Sequence, residues 1–176
     1  MNETIKTLLA RRSVRAYRPE QIATQELDTI LEAGTYAPSA HGKQSVTLVV
    51  LQDRETIAAL SAANAEIMGT KADPFYGAPT VVVVLADPEA TTTPLNAQRD
   101  GALVMGNMMN AAASLGVGSC WINRAKEFFD KPEGKALLRK WGLPERLEGV
   151  GNCVLGYPAG EPRPAAPRKD GFIVRV

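Results

Sequence analysis

The chain has 176 residues, 45% of them hydrophobic and 22% charged, which is typical of one globular domain that needs neither disulfides nor a structural metal to form its core. Its 20 Lys and Arg against 19 Asp and Glu leave a formal charge of +1, so no global field draws it to nucleic acid or to an anionic membrane. Its longest purely apolar run, 81–86, is too short to span a bilayer, and its first residues lack a signal-peptide core, so we expect a soluble cytoplasmic protein.

Two helices are predicted before the first strand. Apolar residues at helical spacing between positions 5 and 9 predict a short helix that ends at the basic pair 11–12, where positive charge suits a helix C-terminus. Thr24 is the expected N-cap of a second helix, which stops before Pro38 because proline excludes helix continuation.

The middle of the chain alternates strands and helices. The β-branched apolar runs 46–51 and 80–85 predict buried, central strands, with a helix over 55–68 between them. A long helix is predicted from Arg99 or Asp100 to Leu115. That helix is apolar nearly all round, which favours burial inside the domain or at a subunit interface.

The last third is predicted to contain two short strands, 120–122 and 152–155, with a helix over 133–141 between them. Residues 162–167 are rich in proline and favour an extended arm. The alternating residues 172–176 predict a strand that reaches outward.

The set of reactive side chains is small. His41 is the only histidine, and Cys120 and Cys153 lie far from it in sequence, in apolar surroundings. There is no zinc-binding spacing and no GxSxG turn for a hydrolytic triad. We expect no metal site, two reduced buried thiols for which one disulfide pairing stays open, and a cofactor that supplies the chemistry.

Two segments have the composition of ligand-binding sites. Residues 11–18 contain four arginines and a serine, which suits either the binding of a phosphate or a solvated helix end. Residues 37–44 are a small, polar loop that either approaches a flat ligand or simply joins a helix to a strand. Gly116 and Gly118 do not form a dinucleotide-binding turn, because a third glycine and a preceding strand are missing.

Four ordered motifs relate the chain to a known family. They are Arg-Arg-Ser-Val-Arg-Ala-Tyr at 11–17, Ala-Pro-Ser-Ala at 37–40 followed by Gln44, the helix motifs Asp-Gly-Ala and Asn-Met-Met followed by Ala-Ala-Ala-Ser-Leu-Gly-Val-Gly-Ser-Cys-Trp-Ile at 111–122, and Gly-Tyr-Pro-Ala-Gly-Glu-Pro at 156–162 followed by Pro-Arg-Lys. Across nearly its whole length the chain resembles the nitroreductase family. The resemblance implies a single FMN-binding α+β domain over 1–176, with a central mixed β-sheet flanked by helices. It also implies an interlocked homodimer with two FMN sites at the subunit interface.

The resemblance also implies which residues hold the phosphate of FMN. Arg11, Arg12 and Ser13 match the positions that bind the phosphate and the ribityl chain. Arg168 and Lys169, in the C-terminal segment, match positions that help them. Their positive charges suit a dianionic phosphate.

The remaining implied contacts are made to the isoalloxazine ring. They come from two loops: Pro38, Ser39 and Ala40, with Gln44, from the other subunit, and the backbone of Gly116, Val117, Gly118 and Ser119 near N5. Arg15 matches a basic position near the pyrimidine edge and is the expected catalytic residue, because a fixed cation there favours the anionic reduced flavin.

The chain departs from the family pattern at three places. Gly42 stands where many relatives have asparagine, and Ser45-Val46 replaces a common Pro-Trp pair. The stretch between Leu85 and Arg99 is short, so we expect a more open substrate pocket.

The expected function is that of an FMN-dependent NAD(P)H oxidoreductase, which takes hydride from NADH or NADPH and passes electrons to a small electron-poor acceptor such as a nitroaromatic or a quinone. One alternative is a flavin-binding relative without general nitroreductase activity. A third reading treats the arginine cluster as a nucleic-acid or partner-binding surface, but sparse aromatic residues and a charge of only +1 disfavour it.

Overall fold

Helices and strands alternate along the chain in the computed structural model, which describes all 176 residues. The elements are α1 Glu3–Ala10, α2 Thr24–Thr35, a 3-10 turn Ala40–Gly42, β1 Val46–Leu51, α3 Arg54–Met68, β2 Thr80–Ala86, α4 Pro94–Ser114, β3 Gly118–Ile122, α5 Ala125–Asp130, α6 Pro132–Lys140 and β4 Glu148–Gly156. None of these helices combines the length and the apolar character that crossing a bilayer requires.

The four strands form one sheet in the order β1-β2-β4-β3, and every neighbouring pair is antiparallel. The α+β class is therefore confirmed. The one parallel pairing is an isolated bridge between Ser13 and Ser119, outside the named strand pairs. Strand β2 is buried along its whole length and lies inside the sheet, as its uninterrupted apolar run predicts.

Helices cover both faces of the sheet. Because side chains alternate along a strand, Val81 and Val83 of β2 face a cluster that includes residues of α3, α5 and α6. Val82 and Val84 face the opposite cluster, which includes residues of α2 and α4. Burying each of these side chains contributes about 1.5–3 kcal/mol, so the sheet is a firm support for the loops at its ends.

Several sequence expectations about the elements were wrong. Strand β1 is an edge strand rather than a central one, because it pairs only with β2. Helix α4 begins at Pro94, earlier than predicted, since proline is well suited to the first helical position. Ala23, not Thr24, occupies the cap of α2. Residues 172–176 form no strand and are exposed.

The two cysteines lie on opposite faces of the sheet. Cys120 pairs in register with Val154, the neighbour of Cys153, so the two side chains point in opposite directions. Both thiols are buried and free, and burial raises the pKa of Cys153 to about 12. The disulfide that the sequence left open is therefore absent.

This arrangement predicts thiols that do not react in the native protein. Because the thiolate is the nucleophile and burial disfavours it, we expect no fast reaction with a disulfide reagent at pH 8. Two equivalents should react after unfolding in guanidinium chloride, as absorbance measurements would show. Rapid reaction of either thiol in the folded protein would contradict this placement.

Candidate functional site

The basic segment that follows α1 runs in an extended conformation beside β3. The amide of Val14 donates to the carbonyl of Ser119 at 2.9 Å, and the amide of Arg18 donates to the carbonyl of Tyr157 at 2.9 Å. Gly118 permits this close approach, because a Cβ there would lie 3.0 Å from the side chain of Val14. The backbone pairing brings the N-terminal arginines to the start of β3.

Tyr17 fixes the far end of the same segment. Its hydroxyl donates to the carbonyl of Val14 at 2.7 Å, and the ring packs against the apolar cluster beneath. Burial is the main cause that raises the pKa of Tyr17 far above its ordinary value. The phenol therefore remains a hydrogen-bond donor at any physiological pH.

A cavity of about 300 Å³ opens between this segment and the turn that joins α4 to β3. Its lining includes two groups of predicted site residues: Arg11 and Arg12 on one wall, and Gly116, Val117, Gly118 and Ser119 on the other. Lys6 of α1 adds a further cation that the sequence reasoning did not single out. The structure thus brings together residues that are about a hundred positions apart in the chain.

An adjoining groove of about 530 Å³ extends the positive surface. Arg12, Ser13 and Arg15 line one side of it, and residues 160–164 line the other. Arg163, in that second stretch, is the C-terminal cation that reaches the groove. Only one carboxylate, Glu161, is present among the lining residues of the cavity and the groove.

These guanidinium groups have no carboxylate partners. Arg11, Arg12, Arg15 and Arg163 form no ion pair, and Nη1 of Arg11 is buried without any hydrogen-bond partner. Buried polar groups in folded proteins are nearly always paired, and an unpaired donor is a candidate for binding a ligand. The donor set fits a phosphomonoester, for which planar guanidinium groups provide charge and paired N–H bonds.

The loop predicted to cover a flavin ring lies elsewhere on the chain. Ser39 and Gln44 line a separate hollow of about 170 Å³, together with Asp100 and Val104 of α4. Pro38 and Ala40 belong to the same loop, and neither lines the arginine cavity. Within one chain, the predicted ring-covering loop and the predicted phosphate-binding residues therefore form two distinct groups.

Two further predicted residues lie in the exposed C-terminal segment. Arg168 donates to the carbonyl of Ala166 at 2.6 Å, and the ammonium of Lys169 lies 5.8 Å from the ring centre of Phe172. Neither lines the arginine cavity or the groove. Their contact with a phosphate remains a prediction from resemblance.

The family model described as the nitroreductase family matches residues 8–157. The chain belongs to the nitroreductase family. That match runs from the last residues of α1 to the end of β4, and so it includes the arginine segment, the 37–44 loop and the 116–119 turn.

Known relatives agree with this assignment. A nitroreductase from Bacteroides fragilis, solved with bound FMN, is 35% identical, and the match covers 100% of both chains with a TM-score of 0.89. A protein from Archaeoglobus fulgidus with the provisional name NADH dehydrogenase/NAD(P)H nitroreductase is 32% identical over 163 residues, which is 92% of this chain and 88% of the relative. The FMN reductase [NAD(P)H] of Bacillus subtilis is 29% identical over 90% of this chain and 67% of its own length.

Proposed function

We propose that this member of the nitroreductase family is an FMN-dependent oxidoreductase that uses NADH or NADPH, with residues 1–176 as one FMN-binding domain. The observation that carries the proposal is the pair of guanidinium groups without carboxylate partners at the 300 Å³ cavity, one of which has a buried N–H donor that lacks any hydrogen-bond partner. The bound FMN of the Bacteroides fragilis relative supports it, as does the FMN reductase name of the Bacillus subtilis relative.

The residues of this chain would bind and orient the cofactor rather than act as acids or bases. Arg11 and Arg12 would hold its phosphate, and the backbone of 116–119 would lie along the ring edge. Arg15, in the adjoining groove, would place a positive charge beside the ring. The FMN held there would supply the redox chemistry, which is hydride acceptance from a nicotinamide and electron delivery to an acceptor.

We further propose two half-reactions in sequence at one site. The donor leaves before an electron-poor acceptor, a nitroaromatic or a quinone, takes its place. His41, the only histidine, is exposed in the 37–44 loop, which agrees with a reaction that needs no histidine base. The chain's contribution is then geometry and charge, which are the two features that the cavity provides.

A homodimer would join the two groups of site residues. Helix α1 buries none of its residues, and its apolar Leu8 and Leu9 are 47% and 60% exposed. Leu103, on α4, is 48% exposed, on the side of that helix away from the buried residues Val104, Met105 and Met108. These exposed apolar side chains support the proposed subunit interface. In such a dimer the 37–44 loop of one protomer would cover the flavin held by its partner.

Introducing a charged side chain on α4 tests whether this helix lies at the proposed dimer interface. We expect Leu103→Arg to raise the dimer dissociation constant at least about tenfold, because an unpaired charge would be buried at the interface, and to reduce FMN retention with it. Met68→Arg is the matched control, since Met68 is 46% exposed at the end of α3. Analytical ultracentrifugation measures the dimer dissociation constant of both variants. A dimer that is equally stable in both variants would contradict the proposed interface.

The proposed function is tested by the visible absorption of the purified protein, with FMN added if the preparation is colourless. We expect flavin bands that bleach under anaerobic NADH or NADPH and return when a quinone is added. Persistent colour with both donors would favour the alternative of a flavin-binding relative without this activity. A protein that binds no FMN would overturn the proposal.

A further inference from the structure

Asp100, on α4, accepts hydrogen bonds from the first residue of the 3-10 turn and from Ser45, three residues after the turn. It is 3% exposed, its Oδ1 accepts the amide N–H of Ala40 at 2.9 Å, and its Oδ2 accepts the hydroxyl of Ser45 at 2.8 Å. The two partners are 60 and 55 residues away in sequence. One carboxylate thus holds both sides of the segment that was predicted to cover a flavin.

That segment has a strained backbone. His41, Gly42 and Gln44 have φ values of 54°, 65° and 50°, and two of the three carry side chains that disfavour this left-handed region. Such conformations persist where the surrounding structure holds them. Apart from Asp100, the bonds within the segment are local ones, such as the amide of Gln44 donating to the hydroxyl of Ser39 at 2.9 Å.

The turn of α4 that carries Asp100 is packed tightly against the sheet. The next residue, Gly101, faces β4 so closely that a Cβ there would lie 2.5 Å from Cγ2 of Val150. No other residue type fits between this turn of α4 and the strand without a shift. Asp100 therefore projects from a rigid support, and the loop takes its position from that support.

We propose that Asp100 is a positioning residue that holds Pro38–Gln44 in the shape needed to contact FMN. The inference rests on the proposed function and adds a residue to it. Asp100 acts through Ala40 and Ser45 and has no need to touch the cofactor. Its two acceptor oxygens match the two donors, and no cation forms an ion pair with it.

The proposal distinguishes two substitutions by their hydrogen bonding. Asp100→Asn keeps an oxygen to accept the amide of Ala40, while its NH₂ can donate to the oxygen of Ser45. Asp100→Ala leaves both loop donors without the acceptor that now binds them. If Asp100 positions the loop, Asp100→Asn should retain FMN binding. If the negative charge itself is needed, Asp100→Asn and Asp100→Ala should lose FMN binding to the same extent.

Asp73 provides a matched control on another part of the fold. Its carboxylate also holds a turn with a left-handed residue, Tyr76, by accepting the amides of Phe75 and Gly77 at 2.8 and 2.7 Å and the hydroxyl of Ser61 at 2.5 Å. This turn lines a hollow beside α3, with no predicted flavin-binding residue in its lining. Asp73→Ala should lower stability without changing flavin binding.

The test uses the 176-residue protein and FMN itself as the probe. It measures the dissociation constant by fluorescence quenching, the visible circular dichroism of bound FMN, and the melting temperature. For Asp100→Ala we expect a dissociation constant raised about ten- to a hundredfold and an altered dichroism spectrum. Asp100→Asn should remain within about threefold of the unmodified chain. If Asp100→Ala does not fold, Ser45→Ala, which removes one of the two bonds, should give an intermediate weakening.

Each outcome assigns a cause. An unchanged dissociation constant and spectrum in folded Asp100→Ala would overturn the inference and leave the proposed function standing. Equal loss in Asp100→Asn, or an equal effect of Asp73→Ala, would also overturn it, by pointing to charge or to general destabilisation. Failure of the unmodified protein to bind FMN would remove the proposed function and this inference together.

Discussion

Replacing Arg11 by methionine is expected to weaken FMN binding about ten- to a hundredfold while leaving the FMN-free protein as stable as before, or more stable. The two effects differ in sign for one physical reason. Nη1 of Arg11 is buried without a partner, so the guanidinium lowers the free energy of unfolding when no anion is bound. A phosphate would satisfy that donor with a charge-assisted hydrogen bond, and methionine cannot.

Two measurements check this expectation, titration with FMN and chemical unfolding of the FMN-free protein. Salt provides a third, because the loss of one phosphate-binding cation should reduce the salt dependence of binding. Arg54→Met is the matched control: Arg54 also lacks an ion-pair partner but lies at the start of α3, beside a different hollow. If Arg11→Met binds FMN as tightly as Arg54→Met, Arg11 has no place in the phosphate site.

The sequence predicted elements whose signal is local. Strand β2 is a continuous β-branched run, and such a run forms a buried strand wherever it pairs. Its neighbour β1 has similar composition. The edge position of β1 depends on which strands pair with it, and the residues of β1 alone do not predict that pairing. Helix α5 was missed for a related reason. It has six residues, and its Phe128 and Phe129 are held by packing against the core rather than by helical periodicity.

The same distinction applies to the candidate site. Arg11, Arg12, Ser13 and Arg15 could be predicted as site residues because they are close together in sequence, and motif resemblance added the 116–119 turn, which lines the same cavity as Arg11 and Arg12. Asp100 was not found as a site residue, because its importance comes from two hydrogen bonds to a loop far away in the chain. A buried carboxylate in an apolar helix was the available signal, since such a group requires partners.

Replacing Arg15 by alanine should slow reduction of bound flavin about ten- to a hundredfold with FMN still bound. Arg15 lines the groove beside Ser13, forms no ion pair and is exposed within this chain, so its charge is free to act on a ligand there. A fixed cation stabilises the negative charge that develops as hydride arrives. Anaerobic stopped-flow reduction at saturating NADH or NADPH isolates this step, and Arg15→Lys should recover part of the rate.

Arg18→Ala is the control that shows whether the position of Arg15 matters, or only the positive charge of the segment. Arg18 is three residues along, yet its guanidinium forms an ion pair with Glu20 at 3.1 Å, lies 5.5 Å from the ring centre of Tyr157, and does not line the groove. Arg18→Ala removes the same formal charge and should leave the reduction rate within about twofold, because Arg18 is already paired with Glu20 and does not line the groove. If both variants slow reduction equally, the general positive field of the segment is the cause, and Arg15 loses its catalytic role.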